Sequence, residues 1–251
     1  MRSLGRFGVG ALAFTLVLLV WETVCRTGLA NTALFPAPSQ IAPVLWSLLV
    51  TGQFLEPLWQ TLAMLLAGYG IACVAGVSLG LLMGRNAWAY GLLEPLVEVI
   101  RPVPKPALIP AFVIFLGIGP GMKITTVALA ALFPILIGTL QGVRGIDPVL
   151  LATARTLGCS RWLTLRAIVA PAALPMMLTG MRVSLGMGLA LVILAEMLAA
   201  ETGIGFQVLD LQRSFQVRPM YAWIVILAAT GLLLNMLFER IEDRAVPWRA
   251  K

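Results

Sequence analysis

The chain has 251 residues, of which 60% are apolar and 12% charged, with a net charge of +7 and no histidine. Soluble domains are about half apolar, so a mean hydropathy of +0.95 excludes an ordinary soluble enzyme and assigns the chain to a bilayer. The missing histidine removes the commonest zinc, haem and general-base side chain, and Cys25, Cys73 and Cys159 lie too far apart for a metal-ligand motif, so no metal and no bound cofactor is expected.

Residues 1–25, "MRSLGRFGVGALAFTLVLLVWETVC", place two arginines before an apolar run. A signal peptide is the rival reading; a retained helix is favoured because no small-x-small cleavage site follows. Pro36, Pro38 and Pro43 then interrupt any continuous span and leave room for a short interfacial helix near 44–50. Residues 61–83 form the clearest span, and Gly68, Ala72, Gly76, Gly80 and Gly84 mark a smooth stripe suited to close helix packing. The next segment, "RNAWAYGLLEPLVEVIRPVPKP", is broken by charge and proline, so a third span must be irregular. Residues 122–140, 173–199 and 221–238 supply the remaining spans, each close to the roughly 20 residues that cross a hydrocarbon core. The expected fold is an all-α polytopic membrane protein of about six transmembrane helices. It divides into an N-terminal helix with its linker (1–58), a core (59–242) and a short tail (243–251).

The basic residues follow the loops rather than one soluble face, which fits lipid and topology and argues against nucleic acid. With the N-terminus inside, thirteen lysines and arginines fall in cytoplasmic segments, and only Arg26, Lys123, Arg213 and Arg218 fall outside. The positive-inside rule therefore puts both termini in the cytoplasm.

Between two apolar runs stands "DPVLLATARTLGCSRWLTLRAIVAPAALP", residues 147–175. Asp147 and Pro148 form an N-cap and first-turn pair and Gly158 a stop, predicting a short helix over 148–157. Its apolar Leu150, Ala154 and Leu157 share one face, leaving Thr153, Arg155 and Thr156 for other contacts. Two readings stay open: a loop helix lying on lipid headgroups, or a docking knob for a partner. Ser160 caps a further turn that leads through Pro171 and Pro175 into the next span, a rigid elbow.

Ala152, Thr153 and Ala154, then Gly158, Ile168, Ala170 and Pro171, resemble the E-A-A-x3-G-x9-I-x-L-P loop of binding-protein-dependent ABC importer permeases. Gly158, Ile168 and Pro171 fall in register; Ala152 stands in place of the glutamate and Ala170 in place of the leucine. "EPLVEVIRPVPKPALIPAFVIFLGIGPGMK" and "AEMLAAETGIGF" are similar to the sulfonate, taurine and nitrate branch of that family, and the resemblance covers about residues 36–240. It implies a type I importer permease fold in a bacterial inner membrane. It further implies a homodimer with two copies of a separate P-loop ATPase, fed by a periplasmic solute-binding protein. The ATPase-coupling residues would be Ala152, Thr153, Ala154, Arg155, Gly158, Cys159, Ile168 and Pro171, with docking resting on shape, apolar contact and Arg155. No G-x4-G-K-[ST] motif occurs, so ATP and Mg belong to the partner and the chain itself is not an enzyme.

The fifth span steps through Gly180, Ser184, Gly188 and Val192 to Glu196. A carboxylate inside a span costs about 2.5–3.5 kcal/mol on the lenient insertion scale, so Glu196 must face protein or water. It is either a structural group bonded to neighbouring helices or, as the resemblance implies, part of a translocation path with Ser184, Gly188 and Val192. Arg182, in the same helix, is expected to snorkel towards the cytoplasm. Beyond the span, Gly203 and Gly205 allow a sharp turn into an amphipathic outer loop whose Asp210, Arg213 and Arg218 would meet the binding protein. The resemblance implies a small anionic cargo such as a sulfonate, taurine, nitrate or an aromatic carboxylate. The alternative is a proton-coupled secondary carrier using Glu196; such carriers are built from paired inverted halves, and no second copy of any motif is found here.

Overall fold

The computed structural model describes residues 2–248 and contains no strand among them. Its helices are α1 (Arg2–Arg26), α2 (Pro38–Thr51), α3 (Leu55–Arg85), α4 (Ala87–Ile100), α5 (Ile109–Leu116), α6 (Pro120–Arg144), α7 (Pro148–Thr156), α8 (Arg161–Thr164), α9 (Ala170–Ala199), α10 (Ile204–Arg213) and α11 (Val217–Ala245). Among the described residues four helical stretches are long and apolar enough to cross a membrane: Leu55–Arg85, Pro120–Arg144, Arg161–Ala199 and Val217–Ala245. The pair 87–100 and 105–116, bent by 86°, passes the same test of length and apolarity when taken together, as a broken fifth span or a re-entrant loop. α1, the 25-residue helix expected as a further span, is not among these stretches.

Three helices make the centre, and small residues decide how they meet. The α3 stripe predicted from the sequence lies against α6: a Cβ added at Gly80 would stand 2.6 Å from the Thr139 Cβ, and one at Gly84 2.7 Å from that of Val143. Gly68 meets Val127 and Gly76 meets Ile135 in the same way, so both helices advance in four-residue steps and run parallel. On another face of α6, Gly138 and Gly142 meet the α9 backbone near Met176 and Ala173, an antiparallel contact. In lipid no hydrophobic effect drives helices together, and close backbone approach of this kind supplies the dispersion contact instead. The stripe is thus a seam within one chain.

Elsewhere the structure corrects the linear reading. Pro43 does not break α2 but sits inside it, and the helix is twice the expected length, starting with Pro38 in its first turn. α2 is tied back to α1 by Glu22, which accepts from the Ser39 amide at 3.1 Å and the Ser39 hydroxyl at 2.7 Å. The third segment is irregular as expected, but Arg101 and Lys105 lie at its break rather than in an end segment: the Lys105 ammonium is 4.6 Å from the centre of the Phe133 ring, midway along α6. Removing those two from the cytoplasmic tally leaves eleven basic residues against four, so the bias keeps its direction.

Candidate functional site

The punctuation read around residue 147 forms as expected and sets the geometry of an elbow at one end of the bundle. The Asp147 carboxylate accepts the Val149 amide at 2.8 Å, capping α7. At the other end the Gly158 amide donates to the Arg155 carbonyl and the Cys159 amide to the Ala154 carbonyl, both at 3.0 Å. With Gly158 at φ +67°, this is the paired hydrogen-bond pattern of a left-handed glycine stop. The chain reverses at once, Ser160 accepts the Leu163 amide at 3.2 Å, and α8 begins. Between α8 and α9 lies a feature the sequence did not signal, a π-helical turn over Leu165–Val169 that carries Ile168. It joins the elbow to α9 without an intervening loop, and Pro171 sits in the first turn of α9.

The face that α7 buries differs from the expected one. Ala154 is 2% exposed and Leu151 packs against the cluster of Val143, Ile146 and Val169, whereas Leu150 and Leu157 are 49% and 74% exposed. Ala154 has neighbours on its face both three and four residues away; the periodicity took Leu150 and Leu157 as its companions, whereas packing against the bundle turns the helix so that Leu151 shares the buried side. Outward from the bundle α7 therefore presents Val149, Leu150, Ala152, Thr153, Arg155 and Leu157, followed by the exposed Trp162 and Leu163 of α8. Cys159, Ile168 and Pro171 are partly buried at the base of the elbow. The expected coupling residues are thus brought together, some as a platform and some as its footing.

At the opposite end of the bundle Glu196 is fully buried. Its carboxylate takes the Thr61 hydroxyl at 3.0 Å to each oxygen, the Gly205 amide at 2.9 Å, and the Lys123 ammonium at 3.7 Å. Thr61 in turn accepts the Ile204 amide at 3.0 Å, and Lys123, only 5% exposed, donates to the Thr202 carbonyl at 3.1 Å. Glu196 and Thr61 thereby satisfy the first two amides of α10, where an anion is also favoured by the helix dipole. The carboxylate pins the turn before α10 to α3, α6 and α9 together. A Cβ at Gly203, with φ +109°, would collide with this carboxylate, and one at Gly205 would come within 2.8 Å of the Glu196 Cβ. The two glycines noted for turning also make room for the acid.

Ser184 and Val192 are fully buried, and Gly188 faces Leu65 and Val127, so these residues and Glu196 lie on the seam of α9 with its own chain. The exposed side of α9 carries Val183, Gly186, Met187 and Ala190 instead. Arg182 reaches towards the C-terminal part of α11 and finds partners there. Its Nε donates to Asn235 at 3.0 Å and its other nitrogens stand 3.8 Å and 3.7 Å from Glu239 and Glu242, bolting α9 to α11. The sequence reading missed Thr61, Lys123, Asn235, Glu239 and Glu242. Of these only the last three left a linear trace, their 4 and 3 spacing placing them on one helical face. Asp210, Arg213 and Arg218 are exposed around the α10 end, with Phe215 at φ +55° in the connection to α11.

Comparison with known proteins gives the family and the fold. The model of the family described as "Binding-protein-dependent transport system inner membrane component" matches residues 72–247. The taurine transport system permease protein TauC of Escherichia coli K12 is 34% identical over 97% of this chain and 90% of its own length. The nitrate import permease protein NrtB of Leptolyngbya laminosa is 30% identical over 94% and 87%. A putative aliphatic sulfonates transport permease protein, SsuC of Bacillus subtilis 168, is 28% identical over 96% and 87%. Among solved structures, the MetNI methionine ABC transporter in an inward-facing conformation superposes with a TM-score of 0.68 over 81% of this chain and 98% of that one, at 22% identity, a likeness of fold. No support arises for a proton-coupled carrier. The chain belongs to the inner-membrane component family of binding-protein-dependent transport systems, a multi-pass permease subunit of an ABC importer whose ATPase is a separate subunit.

Proposed function

We propose that the chain forms the translocation path for a small anion of the sulfonate, taurine or nitrate type, as a homodimer with two P-loop ATPases that bind ATP and Mg. The observation that supports this best is the α7 platform: a capped helix, footed by Leu151 and Ala154, that exposes Leu150 and Leu157 and connects directly into α9. A helix lying on headgroups needs no such rigid footing; a coupling helix does, because it must carry a movement of the ATPase into the membrane. Relatives that transport taurine and nitrate direct the cargo reading to small anions.

Both termini and α7 lie in the cytoplasm, following the basic-residue bias. The α10 end is periplasmic, and its exposed Asp210, Arg213 and Arg218 meet the solute-binding protein. Glu196 acts on this end through the loop it holds, and the path runs past the exposed Val183 and Met187 of α9 and the break of the third crossing, rather than along the seam of Ser184, Gly188 and Val192. The decisive experiment reconstitutes the chain with its ATPase and binding protein in proteoliposomes and follows labelled sulfonate and nitrate. Uptake that requires ATP and the binding protein is expected; uptake by the permease alone on a proton gradient would overturn the reading.

A further inference from the structure

The third crossing departs furthest from a plain helix. α4 ends at Ile100, Arg101 occupies its C-cap, Pro102, Val103 and Pro104 leave the helix, and a short turn over Lys105–Leu108 enters α5. Neighbours fix its depth. α6 has 25 residues, about 37 Å at 1.5 Å per residue, and Phe133 lies near its middle. Tyr90 of α4 lies 3.5 Å beneath Arg144 at one end of α6, and Ile109 packs with Met122 at the other. The Lys105 ammonium, 4.6 Å from the Phe133 ring centre and 2.8 Å from the Arg101 carbonyl, therefore marks the halfway point.

Charge at that depth costs about 2.5–3.5 kcal/mol even on the lenient scale, and irregular backbone is tolerated there only where protein buries it or water reaches it. The two cations of the break are used differently. Lys105 spends its three donors on the carbonyls of Ile100, Arg101 and Val103, at 2.9, 2.8 and 2.9 Å, and so caps the C-terminus of α4. Arg101 keeps a side chain that is 49% exposed and makes one contact, 3.3 Å to Glu98, itself 56% exposed. A guanidinium has five N–H donors, and the rest of those on Arg101 have no partner among the described residues. They line a cavity of about 470 Å³ between α4 and α6 that also holds Glu98 and reaches Gln141 and Arg144 towards the α7 end, with Glu94 held there by the Tyr90 hydroxyl.

We infer that Arg101 is an anion ligand halfway along the path, with Glu98 as its displaceable counter-ion. An oxoanion accepts the open guanidinium donors in a forked pair of hydrogen bonds, and Glu98, which lines the same cavity, turns away from it. When the anion leaves, Glu98 returns, so the arginine is never left bare in the bilayer. A competitor on the next turn also keeps binding weak enough for release, as a conducting site requires. This rests on the anionic cargo proposed above.

The test measures binding of an aliphatic sulfonate to the purified permease–ATPase complex without the binding protein, by equilibrium dialysis. Arg101→Gln should weaken binding about tenfold or more, the loss of a charge-assisted hydrogen bond, and Arg101→Lys should fall between. Glu98→Gln removes the competitor and should tighten binding several-fold. A merely structural ion pair would move both variants in the same direction, which overturns the assignment, as does equal affinity throughout. Should Arg101→Gln fail to assemble, Arg101→Lys and Glu98→Gln carry the same opposite signs. Wild-type vesicles that import sulfonate while the variants bind it unchanged leave the cargo reading standing and end the Arg101 assignment; wild-type vesicles that import neither sulfonate nor nitrate end both.

Discussion

Replacing Lys123 by methionine tests whether the Glu196 cluster holds the α10 loop. The substitution keeps volume and removes the cation 3.7 Å from a fully buried carboxylate, along with the donor to the Thr202 carbonyl. Removing one partner of a buried pair costs about 3–5 kcal/mol, because the other charge stays unpaired. For a chain of this size each kcal/mol lowers the melting temperature by about 2–4 °C, so the single variant should melt about 6–20 °C below wild type in detergent. Glu196→Gln, which leaves Lys123 unpaired, should fall in the same range. The double variant should recover much of the loss, since a neutral amide still accepts from Gly205 and Thr61 and no charge is stranded. A full cycle of four proteins, followed by thermal unfolding, gives the coupling energy. Costs that simply add, or a Lys123→Met protein that melts with wild type, would refute the clasp.

Three further outcomes follow from the packing. Gly80→Ala should impair assembly, because its Cβ would stand 2.6 Å from Thr139 and 2.8 Å from the Leu136 carbonyl, while Gly186→Ala, with open space around it, should leave the yield of folded protein in detergent unchanged. Gly158→Val has room for its side chain but must hold φ near +67°, which costs about 1–2 kcal/mol of backbone strain; membrane insertion should stay normal while ATP-driven uptake falls, and unchanged uptake would make the turn incidental. Asn235→Leu removes the 3.0 Å acceptor from Arg182 at a part-buried site, a loss of about 1.5–3 kcal/mol for a bond to a charged group, read as earlier unfolding of the complex.

Length, apolarity and the basic bias were enough to read a helical membrane bundle from the chain, because a bilayer admits few solutions and each leaves a local trace. Caps are local too: Asp147, Pro148, Gly158 and Ser160 act within four residues of themselves, so the elbow was legible before any packing was known. The stripe of small residues on α3 was legible as a surface, and only the tertiary structure supplied α6 as its partner. Glu196 shows the boundary most plainly. Its cost in a span follows from its own charge, yet its role depends on Thr61 and Lys123, which are 135 and 73 positions away, and on an amide that closes back from Gly205. Neither partner carries a pattern that points at residue 196. The same holds for the third crossing, where prolines announced a break but Phe133, on another helix, fixed its depth and put Arg101 and Lys105 in the middle of the bundle. Local rules set where a helix starts, stops or bends; which side chains then share one buried space depends on the three-dimensional packing of elements far apart in the chain.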